Sequence, residues 1–266
     1  MRKNRLQSSV IAFILLVSPC LANALTAKEK PLFELTAFSS NAAVNSPDQI
    51  WDFSSLYLYR KNEYGAFGGV LNYTNRLNKN ATQLYLNMQP KVNETMWFDL
   101  GYGYSNTPEL FPNNMYFLEA YKKLGKTWVV SVGDTYKLID RTYFNTLTAS
   151  IGKYVGNYYL GFRPYHFVPK AGPSSTLLRF EAKKFGDNPD QYIGVSFATG
   201  TSPDLFDLLT VTFFKVKENI FFIQGQQPVN DAWTFLYGAG YQTQEFPSQF
   251  IRRLAYLNIG LKVKVT

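Results

Sequence analysis

From Leu32 onward, apolar and polar residues alternate with a period of two, in segments separated by Gly, Pro, Asn and Asp. No helical period persists anywhere in the chain. The last segment shows the alternation cleanly, with Leu257, Ile259, Leu261, Val263 and Val265 on one face and Asn258, Gly260, Lys262 and Lys264 on the other. Met96, Phe98, Leu100, Tyr102 and Tyr104 oppose Trp97, Asp99, Gly101, Gly103 and Ser105 in the same way. Thr176, Leu178, Phe180 and Ala182 oppose Arg179, Glu181 and Lys183. One apolar face and one small or charged face along every strand suit a wall with lipid outside and a polar lumen inside.

The segments are residues 32–39, 51–61, 64–75, 81–90, 96–105, 115–124, 127–138, 143–155, 157–167, 174–185, 191–199, 212–228, 232–243 and 251–265, fourteen in all. A break near Glu218-Asn219 would split 212–228 and give fifteen, against the even count of such barrels, and twelve is the smaller alternative. The pattern predicts an all-β fold, a transmembrane antiparallel up-and-down barrel of about fourteen strands. The joins supply a second expectation, because these barrels have short turns on one rim and longer loops on the other. Short joins fall at 62–63, 125–126, 156, 186–190 and 229–231, and long ones at 40–50, 106–114, 168–173, 200–211 and 244–250.

Before the first strand come Arg2, Lys3 and Arg5, an apolar run from Val10 to Val17, and the small-residue site Ala22-Asn23-Ala24. That order is a secretory signal peptide, expected over residues 1–24 and cleaved after Ala24, with the barrel over 25–266. Its apolar run is shorter than the roughly 20 residues of a spanning helix. Cys20, the single cysteine, falls inside it, so disulfides and thiolate metal sites are not expected in the mature chain. Removing the three cations lowers the formal charge from +8 to +5, and the remaining cations are scattered singly among aromatic residues. Nucleic acid is therefore not an expected partner.

Aromatic residues make up 17% of the chain while mean hydropathy is slightly negative, which averaging over lipid-facing and lumenal positions produces. Trp51, Tyr57, Tyr59, Trp97, Tyr116, Trp128, Tyr158 and Trp233 lie near strand ends and are expected in interfacial girdles. Arg60, Glu119, Arg163, Arg179, Glu181, Lys183, Lys215, Lys217, Lys262 and Lys264 are expected to face the lumen. There they would form a mildly basic passage for anionic solutes or sugar polymers, or a plug in which Arg179, Glu181 and Lys183 pair across strands. Lumenal Tyr85, Tyr159 and Tyr165 would stack on sugar rings or occlude the bore.

His166, the single histidine, lies close in sequence to Ser174 and Ser175, the residues that a hydrolase reading would need. No multi-histidine metal site, phosphate loop or cofactor motif is present, and Gly101-Tyr102-Gly103 and Phe67-Gly68-Gly69 lie within strands as bends or close-packing points. No cofactor is expected.

The final strand resembles the assembly signal of outer-membrane barrels in Asn258, Gly260, Val263 and Val265, although it ends Val265-Thr266 rather than on an aromatic residue. That resemblance implies the barrel-assembly machinery and outer-membrane lipid as partners. Tyr154-Val155-Gly156-Asn157-Tyr158-Tyr159-Leu160-Gly161-Phe162-Arg163-Pro164-Tyr165 and the stretch from Ser174 through Leu178-Arg179-Phe180-Glu181 to Asp187 resemble the YaiO family of outer-membrane proteins. The likeness continues through Gly194 to Asp204 and extends loosely over most of the mature chain. It implies a bacterial outer-membrane barrel and brings no reaction or catalytic residues with it. The expected role is a non-enzymatic narrow conduit or structural partner in envelope transport, of surface polysaccharide among other cargoes. The alternatives are a lipid-modifying enzyme and a surface receptor that uses the loops at 40–50 and 200–211.

Overall fold

A computed structural model describes residues 32–45, 48–76, 78–188, 190–207 and 212–265. The expected signal peptide lies outside the described residues. The strands are β1 (Leu32–Asn45), β2 (Asp48–Asn62), β3 (Gly65–Arg76), β4 (Lys79–Pro90), β5 (Met96–Tyr104), β6 (Asn114–Leu124), β7 (Trp128–Ile139), β8 (Thr142–Val155), β9 (Tyr158–Pro169), β10 (Ser175–Phe185), β11 (Tyr192–Asp207), β12 (Thr212–Pro228), β13 (Trp233–Glu245) and β14 (Ile251–Val265). Every neighbour in sequence is an antiparallel neighbour in space, and β1 pairs with β14 from Phe33 with Val265 to Val44 with Leu254. Closure leaves no unpaired edge, so the ladder satisfies main-chain polar groups where no water reaches them.

The fourteen strands fall on the fourteen predicted segments, and β12 is continuous through Glu218 and Asn219. The split does not occur because Glu218 and Asn219 stay in register with Gln244 and Thr243 of β13. The expected contrast in join lengths is mostly absent. β1 and β2 run on to Asn45 and back from Asp48, and β11 runs on to Asp207, so most of 40–50 and 200–211 is strand. Small and polar residues there weaken the side-chain alternation, but ladder hydrogen bonds need only the main chain. The longest connection is 105–113, between β5 and β6.

Side-chain parity divides the wall into two surfaces. Leu56, Leu58, Leu84, Leu86, Val132, Leu147, Leu160, Ile193, Leu257 and Ile259 are exposed on the outside, whereas Glu34, Ser55, Gln83, Asn87, Glu119, Ser131 and Glu218 are buried on the inside. In water this would be an inverted protein. In a bilayer it places hydrocarbon against hydrocarbon, as a membrane barrel requires. The aromatic expectation divides on the same parity. Trp128 and Trp233 are exposed outside, as is Tyr158, while Tyr102, Tyr116, Tyr136 and Tyr143 form a connected row of outward rings across β5 to β8. Trp51, Tyr57, Tyr59 and Trp97 instead face the lumen. Trp97 stacks on Tyr121, and Tyr59 donates a hydrogen bond to Asn87. Nearness to a strand end set their expected place, and one residue of register decides the face.

Candidate functional site

The lumen holds seven of the ten charged residues expected there. Glu119 on β6 and Arg163 on β9 form a two-pronged ion pair, in which one guanidinium nitrogen donates to both carboxylate oxygens at 2.7 and 2.9 Å. Two strands separate them on the wall, and the reach depends on Gly133 of β7. A Cβ there would meet Glu119 Cβ and Cγ, each at 2.9 Å. Arg179 and Lys183 flank Glu181 at 3.5 and 3.6 Å along β10, so this group pairs within one strand and not across strands. Glu119, Arg163, Arg179 and Glu181, with Thr146, Thr148, Tyr159 and Tyr165, line a cavity of about 340 Å³.

Lys262 and Lys264 on β14 also face inward, and both bind Asp190 from the turn between β10 and β11, the former at 2.9 Å. That turn is therefore folded under the rim where the chain termini lie. Arg60, Lys215 and Lys217 face outward and correct the expectation. Arg60 is in register with outward Phe33 and Phe67. Lys217 pairs with Glu245 at 3.3 Å on the outer surface, and Lys215 is exposed beside it. The latter two alternate with buried Val216 and Glu218 and share the parity of outward Phe221 and Ile223, so apolar Val216 between them, not the lysines, is the inward side chain. With acidic partners beside most of the inward cations, the wall is close to neutral at mid-depth and not a basic passage.

Lumenal tyrosines lie against the wall. A Cβ at Gly101 would fall 1.9 Å from the Tyr85 Oη and 2.4 Å from its Cζ. At Gly152 it would fall 2.3 Å from the Tyr159 Oη and 2.5 Å from Cε2, with Gly161 beneath the other edge of the same ring. Phe222 covers Gly240 likewise. Each ring thus sits over a glycine of a neighbouring strand and turns a face to the bore. Tyr85 and Tyr159 do not project across the lumen.

At the far rim, the 105–113 connection folds inward. Leu110 is buried, and Phe111 packs edge-on against lumenal Phe53 at 6.3 Å. Arg76 reaches the carbonyls of Glu109 and Leu110 at 3.4 and 3.3 Å, and Lys79 pairs with Glu109. Arg76 and Arg252 stand over the Trp51 ring at 5.7 and 5.3 Å, and Arg252 also lies 4.7 Å from the centre of Phe246. Below them, Leu254, Val44 and Ala42 make an apolar cluster with Trp51 and Tyr256. Glu218 accepts hydrogen bonds from Gln244 and Gln242 at 2.6 and 3.2 Å.

His166 and Ser175 occupy opposite surfaces of the wall. His166 lies outside, 3.0 Å from Thr176 Oγ1, while Ser175 is buried inside. His166 and Ser175 are therefore not paired.

The family model described as the YaiO membrane beta barrel domain matches residues 33–205. The chain belongs to the YaiO family. It is a bacterial outer-membrane barrel, and its relatives among solved structures are of that kind. Omp33 of Acinetobacter baumannii is 13% identical with a TM-score of 0.50, over 88% of this chain and 97% of that one. A bacterial polysaccharide outer membrane secretin is 8% identical with a TM-score of 0.56, over 88% and 98%. CymD, a monoaromatic hydrocarbon channel, is 8% identical with a TM-score of 0.56, over 95% and 92%. At such identities the likeness concerns the fold. No curated protein matches the chain.

Outer-membrane barrels are inserted from the periplasm, so the rim of this YaiO barrel that carries both termini is periplasmic and the inward-folded 105–113 connection is extracellular. Within β14, Asn258 and Gly260 face the lumen, and Val263 and Val265 face lipid beside the closing seam. The mouth residues Arg76, Arg252, Gln244 and Glu218 were not anticipated. For Arg252 a signal existed, since it shares parity with Asn258, Gly260 and Lys262 on one strand.

Proposed function

We propose that this YaiO barrel is a passive conduit for a polysaccharide chain crossing the outer membrane, with no catalytic step of its own. The observation that carries this reading is the placing of Tyr85 and Tyr159 flat over Gly101, Gly152 and Gly161. A ring held face-on to a bore offers sugar C–H faces an apolar surface, while its hydroxyl remains a hydrogen-bonding handle. The neutralised charges around Glu119 and Arg163 support the same reading, because a wall with little net charge lets a hydroxylated polymer slide without trapping it. The solved polysaccharide secretin, with its similar fold, agrees with it. On this reading the final strand, with Asn258, Gly260, Val263 and Val265, engages the barrel-assembly machinery, and the outward leucines meet outer-membrane lipid.

The test is current through the purified barrel in planar bilayers with a malto-oligosaccharide added. Transient block is expected, and Tyr85→Ala with Tyr159→Ala should raise the half-blocking concentration about tenfold, since two stacked rings contribute about 1.4 kcal/mol together. A barrel without conductance, or a current indifferent to sugar, overturns the proposal.

A further inference from the structure

We propose that the extracellular mouth is a binding subsite for a carboxylate-bearing sugar residue, centred on Arg76 and Arg252. The inference rests on the conduit reading and names the class of glycan that it passes. Three observations converge on a cavity of about 370 Å³ lined by Trp51, Arg76, Asp204, Glu218, Gln244 and Arg252 among others, a volume within the range of small-molecule sites.

The first is incomplete pairing of charge. Asp204 lies 3.8 Å from Arg252, at the outer edge of an ion pair. Glu218 is held by the amides of Gln244 and Gln242 and, among the described residues, by no guanidinium. Carboxylates thus line the cavity along with both guanidiniums, but among the described residues Arg76 has no carboxylate within ion-pair distance, unlike Arg163, which holds both oxygens of Glu119.

The second is a pair of orphaned polar atoms. Among the described residues, Arg76 Nε and Gln244 Oε1 are both buried without a hydrogen-bond partner. An unmade bond on a buried donor or acceptor is costly, and a ligand that supplies both an acceptor and a donor removes the cost twice. A sugar acid does so, its carboxylate accepting along the Nε edge of Arg76 and a ring hydroxyl donating to Gln244. Neutral sugars lack the charged acceptor, and simple anions lack the hydroxyl.

The third is pre-organisation. Arg252 is held by the rings of Trp51 and Phe246, and Arg76 by Trp51 and by the carbonyls of Glu109 and Leu110. Guanidinium planes fixed by rings lose little freedom on binding, and their fork matches a carboxylate in two-pronged geometry. Because the site lies at the extracellular rim, it meets the chain where it enters or leaves the bore.

The experiment compares an oligogalacturonate with a malto-oligosaccharide of equal length as blockers of the full-length barrel in planar bilayers, folding of each variant being checked by its heat-dependent gel shift. The wild type should be blocked by the acidic chain at about one tenth of the neutral concentration, one charge-assisted contact being worth about 1.4 kcal/mol. Arg76→Gln should abolish that preference. Arg252→Gln, which leaves the contacts of Arg76 with the 105–113 connection in place, should act in the same direction. Equal block by both sugars in the wild type, or a preference that survives both substitutions, overturns the subsite and leaves the conduit standing. Block by neither sugar overturns the conduit and the subsite together.

Discussion

Two arginine sites in one lumen are built in opposite ways. At mid-depth Arg163 spends its charge on Glu119, whose side chain is 2% exposed, and a glycine on the intervening strand is left bare so that the pair can meet. At the extracellular mouth Arg76 and Arg252 lie against aromatic rings, with Asp204 at the edge of contact and Arg76 Nε unsatisfied. The first arrangement holds the wall together and cancels its field. The second leaves Arg76 outside any ion pair among the described residues. Position along the bore therefore separates a closed ion pair from an open arrangement, although both rest on arginines of inward parity.

The largest effect that would break this contrast is on stability. Glu119→Leu leaves Arg163 buried without its partner and should destabilise the barrel by about 3 kcal/mol. Urea titration in lipid vesicles, followed by loss of the heat-modifiable species, measures it. Arg76→Gln should cost under about 1 kcal/mol in the same assay, because it removes long hydrogen bonds and a ring contact from a rim. Equal losses for the two variants would erase the distinction between the sites.

Next in size is the effect of filling a notch. Gly152→Val places a side chain where the Tyr159 ring lies, within 2.6 Å of its Oη, Cε2 and Cζ, so the ring must swing into the bore. Overpacking of this kind costs about 1 to 3 kcal/mol. Single-channel conductance should fall while the barrel still assembles. An unchanged conductance would mean that Tyr159 does not border the passage, and the flat tyrosines would lose their part in the conduit.

Much of this was legible in the sequence because a membrane barrel writes its inside and outside in alternate residues. Lys262 and Lys264 on β14, or Arg179, Glu181 and Lys183 on β10, could be placed by counting in twos from Ile259 or Phe180. Counting fails where the wrong residue is taken as the outer one. On β12 apolar Val216 is inward, and Lys215 and Lys217 lie outside with Phe221 and Ile223. Arg60 failed for a different reason, since its strand alternates regularly but tyrosines occupy the lumenal positions 57 and 59 and leucines the outer positions 56 and 58. An expectation that aromatic rings near a strand end belong to the girdle inverts that strand. The mouth was harder still to foresee. It gathers Trp51 from β2, Arg76 from β3, Asp204 from β11, Glu218 from β12 and Arg252 from β14, and only ring closure brings those strands together.

The periplasmic end offers a third charge cluster and the finest test of the contrast, because its pairing can be switched by protons. Burial pushes the Asp190 carboxyl up, but hydrogen bonds from Lys264 and Lys262 outweigh it and hold the group below the ordinary carboxylate range. A folded-state value beneath the unfolded value of about 3.9 means that the tether contributes fully above that pH and is lost as pH falls through the lower folded value. The protection of the turn amides at 186–191, exchange being corrected for its intrinsic pH dependence, should thus be unchanged from pH 8 to pH 5 and fall only below about pH 4. Asp190→Asn should show the lower protection at every pH. A turn that loosens already at pH 6 would mean that Asp190 does not hold it.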